Sequence, residues 1–74
     1  MKKPKSMRRY IRDTEARREL ADAAGTVPAY VYQIATGRRK ASPQLARRFD
    51  DATGGSVPKH ELRPDIFDRP EAAA

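Results

Sequence analysis

Ala29, Tyr32, Gln33 and Thr36 recur at spacings of three and four, so a helix through them carries all four on one side. These side chains are small or neutral, and three of them can both donate and accept hydrogen bonds. Gly37 and the cations Arg38, Arg39 and Lys40 follow at once. A neutral hydrogen-bonding face suits the edges of another molecule, and cations directly behind it suit that molecule's negative charge. Together they point to a polyanion that presents readable groups.

The rest of the chain offers little other chemistry. It has no cysteine, which excludes a disulfide scaffold and a thiolate metal site. The single histidine, His60, cannot build a metal cluster alone, so no metal and no cofactor are expected. No serine or cysteine nucleophile is arranged by spacing around it. His60 and Glu61 read as surface residues on a short turn, and the chain does not read as an enzyme. Nothing in the pattern implies a small-molecule ligand.

The net charge of +6 is unevenly spread. Residues 1–12 hold Lys2, Lys3, Lys5, Arg8, Arg9 and Arg12 and no acid. A mildly acidic stretch follows, and then residues 35–48 hold Arg38, Arg39, Lys40, Arg47 and Arg48, again with no acid. Two basic blocks separated by an acidic one are the electrostatic footprint of a polyanion binder. No apolar run approaches the ~20 residues that span a bilayer. The start, MKKPKSMRRY, is basic but lacks the apolar core of a secretory signal. The expectation is therefore a cytoplasmic protein with no membrane partner.

Positioning these residues requires helices. A chain of 74 residues makes one domain at most, and such a domain buries only ~60% of its unfolded surface, so a partner subunit would help it. Residues 1–5 are expected as a flexible basic arm. Ser6 is expected to cap a short helix holding Met7, Tyr10 and Ile11. Asp13 or Thr14 caps the next, with Ala16, Leu20, Ala23 and Ala24 inward and Gly25 ending it. Thr26 or Val27 starts the third, with Pro28 at its first position and Val27, Val31 and Ile34 as a buried stripe. Gly37 ends it. Ser42-Pro43 starts the fourth, whose inner face is Leu45, Ala46, Phe49 and Ala52, and Gly54-Gly55 stop it. Pro58 opens a short fifth turn of helix through Leu62, which Arg63-Pro64 ends. Residues 68–74 are expected as a disordered tail. No alternating pattern of strand length occurs, so the fold class is all-α, four helices plus a short C-terminal one.

Residues 17–36 also satisfy the spatial demands of a helix-turn-helix, in which two helices meet at a tight turn. Leu20 supplies the apolar crossing residue, Ala21 the small residue where the helices touch, and Gly25 the turn. Val31 and Ile34 supply two core contacts three apart on the second helix.

The runs LADAAGT at 20–26, YVYQIATGRRKASPQLARR at 30–48, and DATGGSV with LRPDIF near the end carry a family likeness. Across residues 6–67 the sequence resembles the Cro/repressor-type helix-turn-helix family, most closely the YdaS-like phage Cro and antitoxin regulators. That resemblance implies a lambda-repressor-like bundle, a homodimer, and a third helix that reads double-stranded operator DNA in the major groove. It implies a bacterial or phage-encoded, nucleoid-associated regulator of transcription that acts as a repressor. Carried over residue by residue, the base-contacting positions are Pro28, Ala29, Tyr32, Gln33 and Thr36. Gln33 can pair with adenine N6 and N7, and Ala29 can touch a thymine methyl. Pro28 stands where the family often has glutamine. Arg38, Arg39 and Lys40 are the phosphate contacts, with Tyr30 either a further one or plain packing. The second reading is an antitoxin-like protein-interaction module with Leu62, Ile66 and Phe67 as its contact patch; the same three residues equally suit the core or a dimer contact.

Overall fold

The computed structural model describes residues 3–67. A 3-10 turn, Lys5–Met7, precedes five α-helices: α1 Arg9–Arg12, α2 Thr14–Ala24, α3 Pro28–Ala35, α4 Pro43–Ala52 and α5 Lys59–Leu62. No strand occurs among the described residues, and the all-α expectation of four helices and a short fifth holds. Of the expected arm, residues 1 and 2 lie outside the described residues and Lys5 sits in the 3-10 turn. The whole expected tail, 68–74, also lies outside them.

Local chemistry sets the helix ends. The Asp13 carboxylate accepts the Ala16 N–H at 3.0 Å and so caps α2. The Ser42 hydroxyl accepts the Leu45 N–H at 3.1 Å and caps α4, with Pro43 at the first position. Ser6 departs from expectation. Its backbone N–H donates to Glu61 at 2.9 Å and its hydroxyl to the same carboxylate oxygen. It ties the first turn to α5 across 55 positions instead of capping a helix, and α1 starts after Arg8 with no side-chain cap. Glu61 is accordingly a half-buried tie and not a surface residue on a solvent-facing turn.

α2 is the hub, packed against α1, α3 and α4, while α5 packs on α4 and α1 also touches α3. The core is apolar, with no buried polar or charged residue among the described ones. Met7, Val31, Ile34, Phe49 and Val57 are its largest fully buried side chains, each contributing about 1.5–3 kcal/mol of transfer free energy. Val57 is placed there by Thr53, whose hydroxyl donates to the Phe49 carbonyl at 2.7 Å and accepts the Val57 N–H at 2.9 Å.

Three expected inner residues lie outside the core. Ala23 and Ala52 are exposed, because each stands at the margin of its helix's apolar arc. Val27 is 59% exposed, since it is the extended residue before α3 and lies outside the helical phase that buries Val31 and Ile34. Of the proposed C-terminal patch, Leu62 is buried and closes the core, Phe67 packs against it, and only Ile66 is exposed.

Candidate nucleic-acid interface

The α2–α3 corner is built as the spacing requires. Leu20 is buried near the crossing, and fully buried Ala21 stands where the helices touch and lets them approach closely. Gly25 leaves α2 with φ 72 and ψ 36, the left-handed conformation that an L side chain resists. Space is not the constraint there, for a Cβ on Gly25 would stand 3.6 Å from the Arg48 guanidinium, an ordinary contact. The Thr26 N–H donates to the Ala21 carbonyl at 2.8 Å and closes the turn. Pro28 opens α3 at its first position, where its missing N–H leaves no bond unmade.

Burying Val31, Ile34 and Ala35 on the inner side turns the other side outward. Pro28 and Ala29 are exposed, and Tyr32, Gln33 and Thr36 are half-buried. The Thr36 hydroxyl donates within its own helix, to the Tyr32 carbonyl at 2.9 Å, with the Gln33 carbonyl 3.2 Å away. Its hydrogen is thus engaged, and what it offers outward is acceptor capacity and a methyl group.

At the end of α3 the Gln33 carbonyl accepts both the Arg38 N–H, at 2.9 Å, and the Arg39 N–H, at 3.2 Å. Gly37, at φ 80, makes this reversal possible. The three cations thereby cluster at the negative end of the α3 dipole. Arg38, Arg39 and Lys40 are exposed, and none belongs to an ion pair among the described residues. The Arg39 guanidinium lies 5.4 Å over the Tyr30 ring, which itself packs against the core. Tyr30 therefore does the packing duty and sets Arg39 beside it.

Beyond the cations the loop is pinned. Ala41 is buried, and its carbonyl accepts from Arg63 Nη1 at 3.1 Å. Arg63 also makes two bonds to the Asp65 carboxylate, at 3.0 and 2.8 Å. That hydrogen-bonded guanidinium lowers the Asp65 pKa from 3.8 to about 2, with Lys40 adding a smaller pull. Lys40 thus has the Asp65 carboxylate within electrostatic reach.

Two residues of this region escape sequence reasoning. Arg63 reads only as a helix stop, and no local signal joins it to a loop 22 positions earlier. Arg17 had a signal. It lies in phase with Leu20, Ala21 and Ala24, the buried stripe of α2, where an arginine must find partners. It finds them in the Tyr10 and Ile11 carbonyls, each 3.0 Å from Nη1, and in the Tyr32 ring, 5.0 Å below its guanidinium.

The model of the family described as "Bacterial toxin YdaS" matches residues 7–71, a span that contains all five α-helices. A "Prophage transcriptional regulatory protein" of Escherichia coli (strain K12) is 40% identical over 53 residues, 72% of this chain and 80% of that relative. No solved structure matches.

Proposed function

The chain belongs to the YdaS family, and from that premise we propose that it is a sequence-specific DNA-binding regulator of transcription. One observation carries the reading: α3 turns an uncharged, hydrogen-bonding face outward, and exposed Arg38 and Arg39 stand at its end without ion-pair partners among the described residues. α3 enters the major groove. Gln33 pairs with adenine through its amide, Ala29 and the Pro28 ring meet thymine methyls, and Tyr32 and Thr36 flank them. Arg38, Arg39 and Lys40 hold phosphates and fix register without reading sequence. The name of the Escherichia coli relative agrees with this class of activity.

In its finer form the proposal is a prophage-type repressor that works in the cytoplasm, at the nucleoid, by occupying a promoter. A helix of this length meets only a few base pairs, so one copy gains limited discrimination. A homodimer, with residues 6–67 of each copy as the DNA-binding unit, doubles the site and places half-sites ~34 Å apart.

Selection from a randomised duplex pool, followed by salt titration on the enriched site, tests the proposal. The expected result is an inverted repeat with half-sites about one helical turn apart. Gln33→Ala then lowers the ratio of specific to random-DNA affinity. Arg39→Ala weakens both alike and reduces the salt slope by ~0.9. A pool with no enriched motif, bound only through a steep salt dependence, sinks the operator-reading assignment.

The family description and one surface feature favour a second reading, a protein-interaction module of a toxin–antitoxin or prophage system. Ile66 is 48% exposed beside Phe67, whose ring has the Arg47 guanidinium at 5.3 Å and the Lys59 ammonium at 5.2 Å. A stoichiometric protein partner that survives nuclease treatment, and is lost with Ile66→Ser, would support it.

A further inference from the structure

Arg17 touches three elements at once. It is rooted in α2, bonds through Nη1 to the last-turn carbonyls Tyr10 and Ile11 of α1, and lays its guanidinium 5.0 Å over the Tyr32 ring of α3. The α1 contacts fix where the guanidinium sits. Two carbonyls at 3.0 Å leave the planar group little freedom to swing. A fixed cation facing a ring in turn restricts the ring, because the attraction depends on the ring's face.

Tyr32 needs such restraint. It lies on the outward side of α3, half-buried, and its hydroxyl makes no hydrogen bond among the described residues. A tyrosine that swings among rotamers offers a target base several hydroxyl positions and loses rotamer freedom on binding. One whose ring is already held offers a single position. Arg17 belongs to no ion pair among the described residues, so no carboxylate among them competes with the ring for its charge. Neighbouring Arg18 differs, pairing with Glu15 at 3.5 Å on the solvent side.

We propose that Arg17 is a positioning residue for the DNA-reading face, which holds the Tyr32 ring in one orientation and so sets the base preference at the position Tyr32 meets. This rests on the assignment of α3 as the reading helix. Arg17 acts through Tyr32 and reads no base itself.

Two measurements on the full chain test it. The first needs no DNA: χ1 couplings of Tyr32 by NMR. The parent is expected to show one rotamer, and Arg17→Gln to show averaging. Arg17→Gln removes the charge and, being two bonds shorter, also gives up the α1 carbonyls, so a melting curve close to the parent's accompanies it as the control for the fold. Arg17→Lys, which restores a cation over the ring, is expected to recover part of the single-rotamer signature. The second is selection from a randomised duplex pool. Arg17→Gln should relax preference by roughly five- to tenfold at the same base position that Tyr32→Ala relaxes, and the double variant should be no worse than Tyr32→Ala alone.

Unchanged Tyr32 couplings in Arg17→Gln would overturn the proposal whatever the protein binds. So would a uniform loss of affinity over all sequences with a smaller salt slope, for Arg17 would then be a phosphate contact. If the parent selects no motif, the reading of α3 fails instead, and the rotamer measurement still decides whether Arg17 holds the ring.

Discussion

α3 and α4 share a proline at the first position and differ in what stands before it and in what they turn outward. α4 is capped by the Ser42 hydroxyl, and its outer face holds Arg47, Arg48 and Asp51 in water. α3 contains no charged residue, its cap residue Val27 makes no side-chain bond to it, and Val27 is 59% exposed. A missing cap forgoes about 1 kcal/mol, and an exposed valine gains nothing from water. α4 obeys the rules for a helix that ends its business at the solvent. α3 breaks two of them at one end, the end that would go deepest into a groove. Departures of this kind collect where a surface has a partner, and a capping carboxylate in particular, optimal in water, repels an anion that comes close.

The inner faces should respond alike, and there the largest effects are expected. Ile34→Ala in α3 and Phe49→Ala in α4 each remove a fully buried side chain, at a cost of about 2–5 kcal/mol. In a domain this small that lowers the melting temperature by ~10–30 °C, measured by circular dichroism. An Ile34→Ala protein melting within a few degrees of the parent would deny α3 its share of the core.

The starting residues should respond oppositely. Val27→Asp supplies α3 with the cap it lacks and a charge that suits the helix dipole, raising stability by about 1 kcal/mol and the melting temperature by ~4–8 °C. Ser42→Ala removes the bond to the Leu45 N–H and lowers it by a similar amount. If α3 is the reading helix, Val27→Asp also weakens DNA binding while it stabilises the protein. A Val27→Asp protein no more stable than the parent would mean that Val27 is satisfied where it stands, and the contrast with Ser42 would lapse.

The smallest effect lies behind the loop that joins the two helices. Asp65 has a folded pKa lowered from 3.8 to about 2 by its bonds from Arg63. A depressed carboxylate contributes stability that is fully present above pH 3.8 and is lost as pH falls through about 2. Asp65 is half exposed, so the contribution is small. Proton titration followed on the Asp65 side chain by NMR should place its midpoint near the lower value, and Arg63→Gln should return it toward 3.8. A midpoint unmoved by that substitution would show that Arg63 is not what holds the Asp65 carboxylate ionised.

Much of this is legible in the chain itself. Asp13, Gly25, Pro28, Gly37 and Ser42-Pro43 act on backbone one to four positions away, and every one stands at the helix end its chemistry implies. Leu20, Ala21, Val31 and Ile34 are buried as their spacing requires, because helical phase determines which side turns inward. Phase is least informative at helix margins, and Val27, Ala23 and Ala52 are misread there for that reason.

By itself, then, the sequence determines the helices, the turn between α2 and α3, and the neutral face with its trailing cations, since each follows from periodicity or from a residue's own dihedral preference. Only the tertiary structure decides the ties between distant positions. Ser6 meets Glu61, Arg63 meets the Ala41 carbonyl, and Arg17 meets both α1 and Tyr32. Each depends on how helices dock, and docking sums weak contacts over the whole core. No short stretch of residues carries that sum, so partners chosen by it are visible only once the chain is folded.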